Sequence, residues 1–339
     1  MTFERMKLPM SKQQILSMLR QQTEGYLSGE TMSHILGISR AAVNKAVNAL
    51  RQDGYEIESA TRKGYRLLSA PDLLTEGEIL PWLHSEIIGK HLICLDTIDS
   101  TNDYLKQNSR QFPSGTVAVA DQQTGGRGRL GRSFHSPGGT GIYMSAILKP
   151  DISPMKAMNL TAYTAVAVCD GIQRATGLQP RIKWTNDLVL NERKICGILT
   201  EMAVEGESGQ LQCIVLGIGI NVNEQENDFP AEIRNIAGSL AMAVEHPIQR
   251  GQLTAEIINS LDRMYADWRE GKGNYLDRYR AACVTLGKEV QVMRPGRPVQ
   301  DAFAEDIDDE FSLIIRLPNG SHETIRAGEV SVRGLWGYV

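Results

Sequence analysis

No apolar run in this sequence approaches the roughly 18 to 20 residues that a membrane-spanning helix requires. The five cysteines (Cys94, Cys169, Cys196, Cys213 and Cys283) form no C-x-x-C pair, and the six histidines form no H-E-x-x-H pattern. Those absences set aside a zinc site on the usual spacings and a disulfide framework, leaving the cysteines as small buried hydrophobes. No metal site built from protein side chains is expected. The opening MTFERMKLPMSK has neither the apolar core nor the small-residue cleavage site of a secretory signal, so a cytoplasmic location is expected. Nor does a Gly-Lys-Ser/Thr follow any glycine-rich stretch, which excludes a P-loop.

What is present is 339 residues with 42% hydrophobic and 22% charged side chains, enough for two or three domains with a sizeable core. The net charge of −4 is unevenly placed. Residues 1–70 hold 10 Lys/Arg against 6 Asp/Glu, so the remainder carries an excess of eight negative charges. A basic end on an acidic body suits contact with nucleic acid through that end.

The pattern in that end supports the same reading. Ile15, Leu16 and Leu19 lie at helical spacing in residues 11–21. Ser28 is placed to cap a short helix with Met32, Ile35 and Leu36 on one face, and Gly37 ends it. Ser39 is placed to cap a second helix whose Val43, Ala46, Val47 and Leu50 form a buried stripe. Two short helices joined by a tight glycine turn make a helix-turn-helix with the second as recognition helix. Arg40, Asn44, Lys45 and Asn48 occupy its other face, and these types pair with phosphates and base edges. The runs YEIESA and GYRLLS follow, with Lys63 at their turn, completing a winged helix over residues 1–70. DNA-binding candidates are therefore Ser28, Ser39, Arg40, Asn44, Lys45, Asn48 and Lys63. Residues 71–88, with Pro71, Pro81 and several acids, read as a bridging linker and short helix outside the core.

From residue 89 the pattern is mixed α/β. HLICLDTID reads as a strand, and Ser100-Thr101-Asn102-Asp103 resembles a capping box with Asp where Glu or Gln is usual. TVAVADQQ is a strand running into GGRGRLGR at 125–132. There Gly126-Arg127-Gly128-Arg129-Leu130-Gly131 satisfies the dinucleotide pattern G-x-G-x-x-G. That fingerprint needs a helix to begin at the loop so that its N-terminus faces the pyrophosphate. SFHSPGGTG and then the strand-like IYMSAILK follow instead, so nicotinamide or flavin binding is rejected. The remaining reading is a flexible loop in which glycine permits close backbone approach and Arg127, Arg129 and Arg132 suit carboxylate or phosphate oxygens. AMNLTAYTAVAVCDGIQRATG reads as a buried helix. Lys183, between Ile182 and Trp184 in a strand, is unusual without an anionic partner. QCIVLGIGINVN is a further strand, and the polar stretch after Asn223 reads as flexible.

Five ordered motifs, Ser100-Thr101-Asn102, Gln123 with GGRGRLGR, KWTNDL (183–188), KICGILTE (194–201) and GIGINVN (217–223), resemble those of the biotin–protein ligases. With a winged helix in front, the chain is similar to the bifunctional form that also represses the biotin operon. The final GKEVQVMR…AGEVSVRG resembles the family's small C-terminal β-barrel. Two positions depart: the family usually has Pro where Thr185 stands and often Trp where Phe134 stands. Both are local and leave the charged groups unchanged.

The resemblance implies an α/β multidomain protein. It comprises the winged helix, a linker (71–88), a central mixed-sheet ligase domain (89–283) and an SH3-like barrel (284–339). It implies formation of biotinyl-5′-AMP from biotin and ATP, with Mg²⁺ accompanying the nucleotide. Transfer of biotin to a lysine of a biotin carboxyl carrier protein follows. The implied catalytic residues are Lys183 and Arg129. Ser100, Thr101, Asn102, Gln123, Arg127, Gly128, Arg129 and Lys183 are implied to bind biotin; Arg127, Arg129, Arg132, Asn186, Lys194 and Asn221 are implied to bind ATP. Operator DNA is the implied partner of a homodimer formed when the adenylate is bound, with no membrane partner. A lipoate-type ligase and a biotin ligase that does not use its DNA-binding domain for repression are the competing readings.

Overall fold

The computed structural model describes residues 3–4, 10–22, 24–206, 209–294, 296–326 and 331–334. A two-residue strand β1 (Phe3–Glu4) precedes α1 (Met10–Gln21), α2 (Gly29–Leu36) and α3 (Arg40–Gln52). The hairpin β2 (Glu56–Ala60) and β3 (Gly64–Ser69) follows. Ser28 and Ser39 cap α2 and α3, their hydroxyls accepting from Glu30 N at 3.2 Å and Ala42 N at 3.1 Å. Gly37 closes α2 in the left-handed region, φ 64°, where a side chain is disfavoured. Ile15, Leu16, Leu19, Met32, Val43, Val47 and Leu50 make this unit's own core. Ile35 departs from expectation: it is 62% exposed, because α2 buries only Met32 fully against its neighbours.

The next elements are α4 (Glu76–Ile79), β4 (Leu92–Ile98), α5 (Thr101–Gln107), β5 (Val117–Gln123) and β6 (Gly141–Leu148). They are followed by α6 (Leu160–Thr176), β7 (Arg181–Lys183), β8 (Asp187–Leu190), β9 (Arg193–Val204), β10 (Leu211–Asn221), α7 (Ala241–Val244), α8 (Arg250–Glu270) and α9 (Tyr275–Ala282). The sheet order is β1-β4-β5-β6-β10-β9-β8-β7, with β4 and β5 parallel and the remaining pairs antiparallel. Alternation divides its side chains between two cores. Val117 and Val119 face the α6–α8 layer, while Ala118 packs with Leu105 of α5 on the other side. All eight residues of β6 are buried, as a central strand covered on both faces requires.

Residues 71–88 are not a bridge outside the core. Leu74, Ile79 and Ile88 are fully buried in the main cluster, each such side chain contributing about 1.5–3 kcal/mol. Asp262 of α8 accepts from the backbone N–H groups of Glu86, Ile87 and Ile88. Glu78, 3% exposed, accepts from Tyr55 and Arg20 of the winged helix. Leu83 and Ile87 are partly buried against the same cluster, while Leu80 and Trp82 stay exposed. Arg250, at the start of α8 and 1% exposed, is the central tie. It pairs with Asp72 (2.7 Å) and Asp121 (2.8 Å) and donates to Gly141 O (3.0 Å), so a buried charge has full partners.

The last unit contains β11 (Glu289–Met293), β12 (Gln300–Ile307), β13 (Leu313–Arg316), β14 (His322–Ile325) and β15 (Ser331–Gly334). They pair antiparallel in the order β14-β13-β12-β11-β15. A β14–β15 pairing that would close the expected barrel is not among the described pairs; residues 327–330 and 335–339 of that unit lie outside the described residues. Its Val290, Val292 and Phe311 join the main cluster, and Trp184 Nε1 donates to Phe311 O at 3.0 Å. The C-terminal unit thus shares a core with the central domain.

Candidate functional site

A cavity of about 380 Å³ opens beside β10, walled by the start of α5, the loop after β5, the β7–β8 turn and β9. Ser100, Thr101, Asn102, Gln123, Arg127, Gly128, Arg129, Arg132, Lys183, Asn186 and Lys194 all line it. Residues 94 positions apart in sequence are therefore brought to one concave surface. Asn221 is not part of the wall. It is 6% exposed and its amide donates to Gly238 O (2.9 Å) and Lys194 O (3.4 Å), bracing the end of β10 from behind.

One side of the cavity is a neutral hydrogen-bonding set. Thr101 donates to Gln123 Oε1 from its N–H (2.8 Å) and its hydroxyl (3.1 Å), and Gln123 Nε2 donates to Ser136 Oγ (3.3 Å). Ser145, buried in β6, lies 2.7 Å from Thr101 Oγ1 and donates to Asn102 Oδ1 at 2.6 Å. Asn102 Nδ2 donates to Glu201 Oε2 at 2.8 Å and Leu199 O at 3.3 Å. A network satisfied this fully holds its members in single rotamers. Sequence reasoning missed Ser145, Ser136 and Glu201. A lone serine within the otherwise apolar IYMSAIL was the available signal for the first.

The opposite side is cationic. Lys183 is 8% exposed at the end of β7, whose residue pairs with Asp187 across the tight turn to β8. Lys194 Nζ lies 2.7 Å from Asp187 Oδ1. Arg129 donates to Asn186 Oδ1 at 2.9 Å, and Asn186 donates to Ile198 O at 2.8 Å. Burial pulls the Arg129 guanidinium below its ordinary value, and the Asp187 carboxylate opposes that pull. An arginine remains charged regardless, so the cavity offers fixed positive charge, with Arg129 and Lys183 the more buried and Arg127 and Arg132 the more exposed of its cations. Asp187 is the carboxylate among the lining residues. Among the described residues no group of three or more His, Cys, Asp or Glu could hold a metal ion. A Mg²⁺ accompanying a nucleotide would therefore rest on phosphate and water oxygens, with Asp187 as the protein carboxylate within the cavity.

The glycines of GIG have a steric reason. A Cβ on Gly217 would stand 2.3 Å from Asn102 Oδ1, and one on Gly219 would stand 2.6 Å from the Phe134 ring. Both departures noted above fall here. Phe134 stacks edge-on to Tyr143, centroids 6.4 Å apart, and lines the cavity. Thr185 is buried behind it, its carbonyl accepting from Tyr279 at 3.0 Å. Between the two walls the arginine loop makes a short 3-10 turn over Arg129–Gly131, rather than a long helix. Leu130 at its tip takes φ 56° and is 54% exposed, a conformation disfavoured by about 1–2 kcal/mol.

The stretch after Asn223 is anchored at Glu224 (0% exposed) and Phe229 (2%), with the exposed residues 225–228 between them, and Lys194 N donates to Ile236 O at 2.7 Å. In the winged helix, Arg40, Asn44, Lys45 and Asn48 are exposed on α3, and Lys63 is exposed at the wing tip. Asn44 donates to Tyr65 Oη (3.2 Å) and Asn48 to Asn44 (3.0 Å), so α3 and the wing present one polar surface. Ser28 and Ser39 serve that surface from its edge, as helix caps.

Residues 94–221 match the Biotin/lipoate A/B protein ligase family, residues 11–66 an HTH domain, and residues 285–333 the Biotin protein ligase C terminal domain. The chain is 43% identical over 258 residues to the Bifunctional ligase/repressor BirA of Bacillus subtilis (strain 168), covering 76% of this chain and 79% of that one. This chain belongs to the biotin/lipoate A/B protein ligase family. It is also 29% identical over 307 residues to the Bifunctional ligase/repressor BirA of Escherichia coli (strain K12), covering 90% of this chain and 92% of the other. Among solved structures it is similar to the biotin protein ligase from Aquifex aeolicus in complex with biotin and ATP. The TM-score is 0.62 and the identity 28%, covering 72% of this chain and 99% of that chain. The matches to family members therefore extend across all three units, including the DNA-binding one.

Proposed function

We propose that this family member is an ATP-dependent biotin–protein ligase and a repressor of biotin-related operators. It joins biotin to AMP and then passes biotin to a lysine of a biotin carboxyl carrier protein. The observation that carries the reading is the two-sided cavity. A rigid neutral hydrogen-bonding set faces a cationic wall of Arg127, Arg129, Lys183 and Lys194.

Biotin has a polar ureido ring at one end and a carboxylate at the other, which matches that polarity. Ser100, Thr101, Asn102 and Gln123 fix the ring. The carboxylate oxygen then attacks the α-phosphorus of ATP and pyrophosphate leaves. Two anions must approach, and charge builds on the phosphoryl oxygens. Cations placed beforehand in a site that excludes water are what lower such a barrier. Lys183 and Arg129 supply this stabilisation; Arg127, Arg132, Asn186 and Lys194 hold the remaining phosphate and nucleotide atoms. When Mg²⁺ is bound with ATP it neutralises part of the polyphosphate charge. In the second step the carrier's amine attacks the acyl carbon, and AMP leaves while the closed loop shields the anhydride from water.

Arg40, Asn44, Lys45, Asn48 and Lys63 contact operator DNA, with Ser28 and Ser39 setting the positions of the helices that carry them. Operators read by helix-turn-helix proteins are commonly two half-sites, so repression follows dimerisation. The adenylate is then both intermediate and corepressor, and both roles are exercised in the cytoplasm. No helix among the described residues is long and apolar enough to cross a membrane. Incubation with biotin, ATP and a carrier domain should add one biotin to the carrier by mass. An unchanged carrier mass refutes the ligase reading.

A further inference from the structure

Asp103 stands at the third position of α5, where a capping-box carboxylate would turn back to the N–H of Ser100. That N–H is already taken by Asp99 Oδ1 at 2.7 Å. The Asp103 carboxylate, whose side chain is 9% exposed, instead meets Arg127 at 2.9 Å and Lys106 at 3.5 Å. Arg127 lines the cavity and Asp103 does not, so the carboxylate holds the guanidinium from behind without entering the ligand's space. Lys106 continues the chain of charges to Glu201 (2.7 Å), which holds Asn102. Arg129 on the same loop is tied to the opposite wall through Asn186. The base of the loop is pinned by backbone bonds from Gly125 N to Asp99 O (2.8 Å) and from Phe134 N to Gly126 O (2.9 Å).

From this geometry we propose that Asp103 is a positioning residue, the latch that holds Arg127, and with it the arginine loop, closed over the cavity. The latch rests on the ligase reading for its consequence, retention of the acyl-adenylate, but not for its existence. Asp103 holds the contact from a buried position while the Arg127 side chain is 58% exposed, so the pair is half-buried and partly screened by salt. It thereby links the phosphate-side loop to the Asn102–Glu201 network on the biotin side.

Two measurements on the full chain test this. The first needs no ligand: the loop carries Arg127, Arg129 and Arg132, so limited trypsin digestion reports its opening. Asp103→Asn, which keeps shape and removes charge, should raise loop cleavage about five- to tenfold, the effect of losing one partly buried charge-assisted contact. Arg127→Gln should raise cleavage at Arg129 and Arg132 similarly. In the double variant Asp103→Asn should add nothing further, because it acts through Arg127. A merely structural role for Asp103 would add to the Arg127→Gln effect, and that additive result, or cleavage unchanged in Asp103→Asn, overturns the latch. The second measurement is the dissociation rate of biotinyl-5′-AMP. It should rise about five- to tenfold in Asp103→Asn and return toward the parent in Asp103→Glu. A rate within twofold of the parent overturns the proposal. If the parent makes no adenylate while the digestion result stands, the ligase reading falls and the latch remains.

Discussion

Glu224 directly follows the GIGINVN motif and is 0% exposed. One carboxylate oxygen accepts from Thr140 Oγ1 at 3.2 Å. Burial raises its carboxyl to about 7 from an ordinary 4.5, although backbone N–H groups, Thr140 and the Arg250 charge oppose the rise. The sign of the stability effect follows. Below about pH 4.5 the group is protonated in both folded and unfolded chains and discriminates between neither. As pH climbs from there toward 7, the unfolded chain gives up the proton while the fold retains it, and stability is lost. Above about 7 the loss levels off. Each pH unit of that interval is worth about 1.36 kcal/mol, so the ceiling is about 3 kcal/mol. Glu224→Gln removes the ionisation while keeping shape. The difference between variant and parent should therefore be small near pH 5 and grow in the variant's favour by about 2–3 kcal/mol near pH 8.5. That corresponds to several degrees in the melting temperature of a domain this size. Melting curves by near-ultraviolet circular dichroism at matched ionic strength measure it, and the histidines cancel because both proteins carry them. A difference that stays flat across that range refutes the reasoning. Catalysis should follow the same group only weakly, since Glu224 does not line the cavity.

Lys183→Ala should slow biotin-dependent ATP–pyrophosphate exchange about 100- to 1000-fold, the usual loss when one preorganised group facing developing charge is removed. Exchange within fivefold of the parent would count against its role. Gly217→Ala should push Asn102 from Ser145 and Glu201 and raise the KM for biotin about tenfold or more, with the KM for ATP changed much less; a proportionate rise in both would point to general damage. Arg40→Ala combined with Lys45→Ala should weaken operator binding strongly and flatten its salt dependence, while ligation stays within about twofold. Sedimentation with and without biotin plus ATP should show more dimer when adenylate is bound, and operator affinity should rise with it; no change in either would break the link between sensing and repression.

The winged helix, the strands β4, β5, β6 and β10 and the buried helix α6 were legible in the residue order, because each depends on local periodicity and caps. The GRGRLGR loop was legible too, as a cationic loop that no dinucleotide helix follows. Local pattern could not tell that residues 71–88 belong to the core. Leu74, Ile79 and Ile88 are buried only because the segment packs on the main cluster, and its backbone is tied to α8 about 175 positions away. Nor could it show that Asn221 braces β10 rather than facing the cavity, since an asparagine after a strand reads the same in both settings. Ser145 and Glu201 escaped for the same reason: a side chain's partner in a sheet sits on another strand, at a register set by packing. The assignment of Asp103 to Arg127 rather than to its own helix terminus was likewise decided by tertiary structure, because Asp99 reached the Ser100 N–H first. Sequence by itself determined which charges and caps the chain carries; the fold determined which of them face one another, since that depends on contacts between residues far apart along the chain.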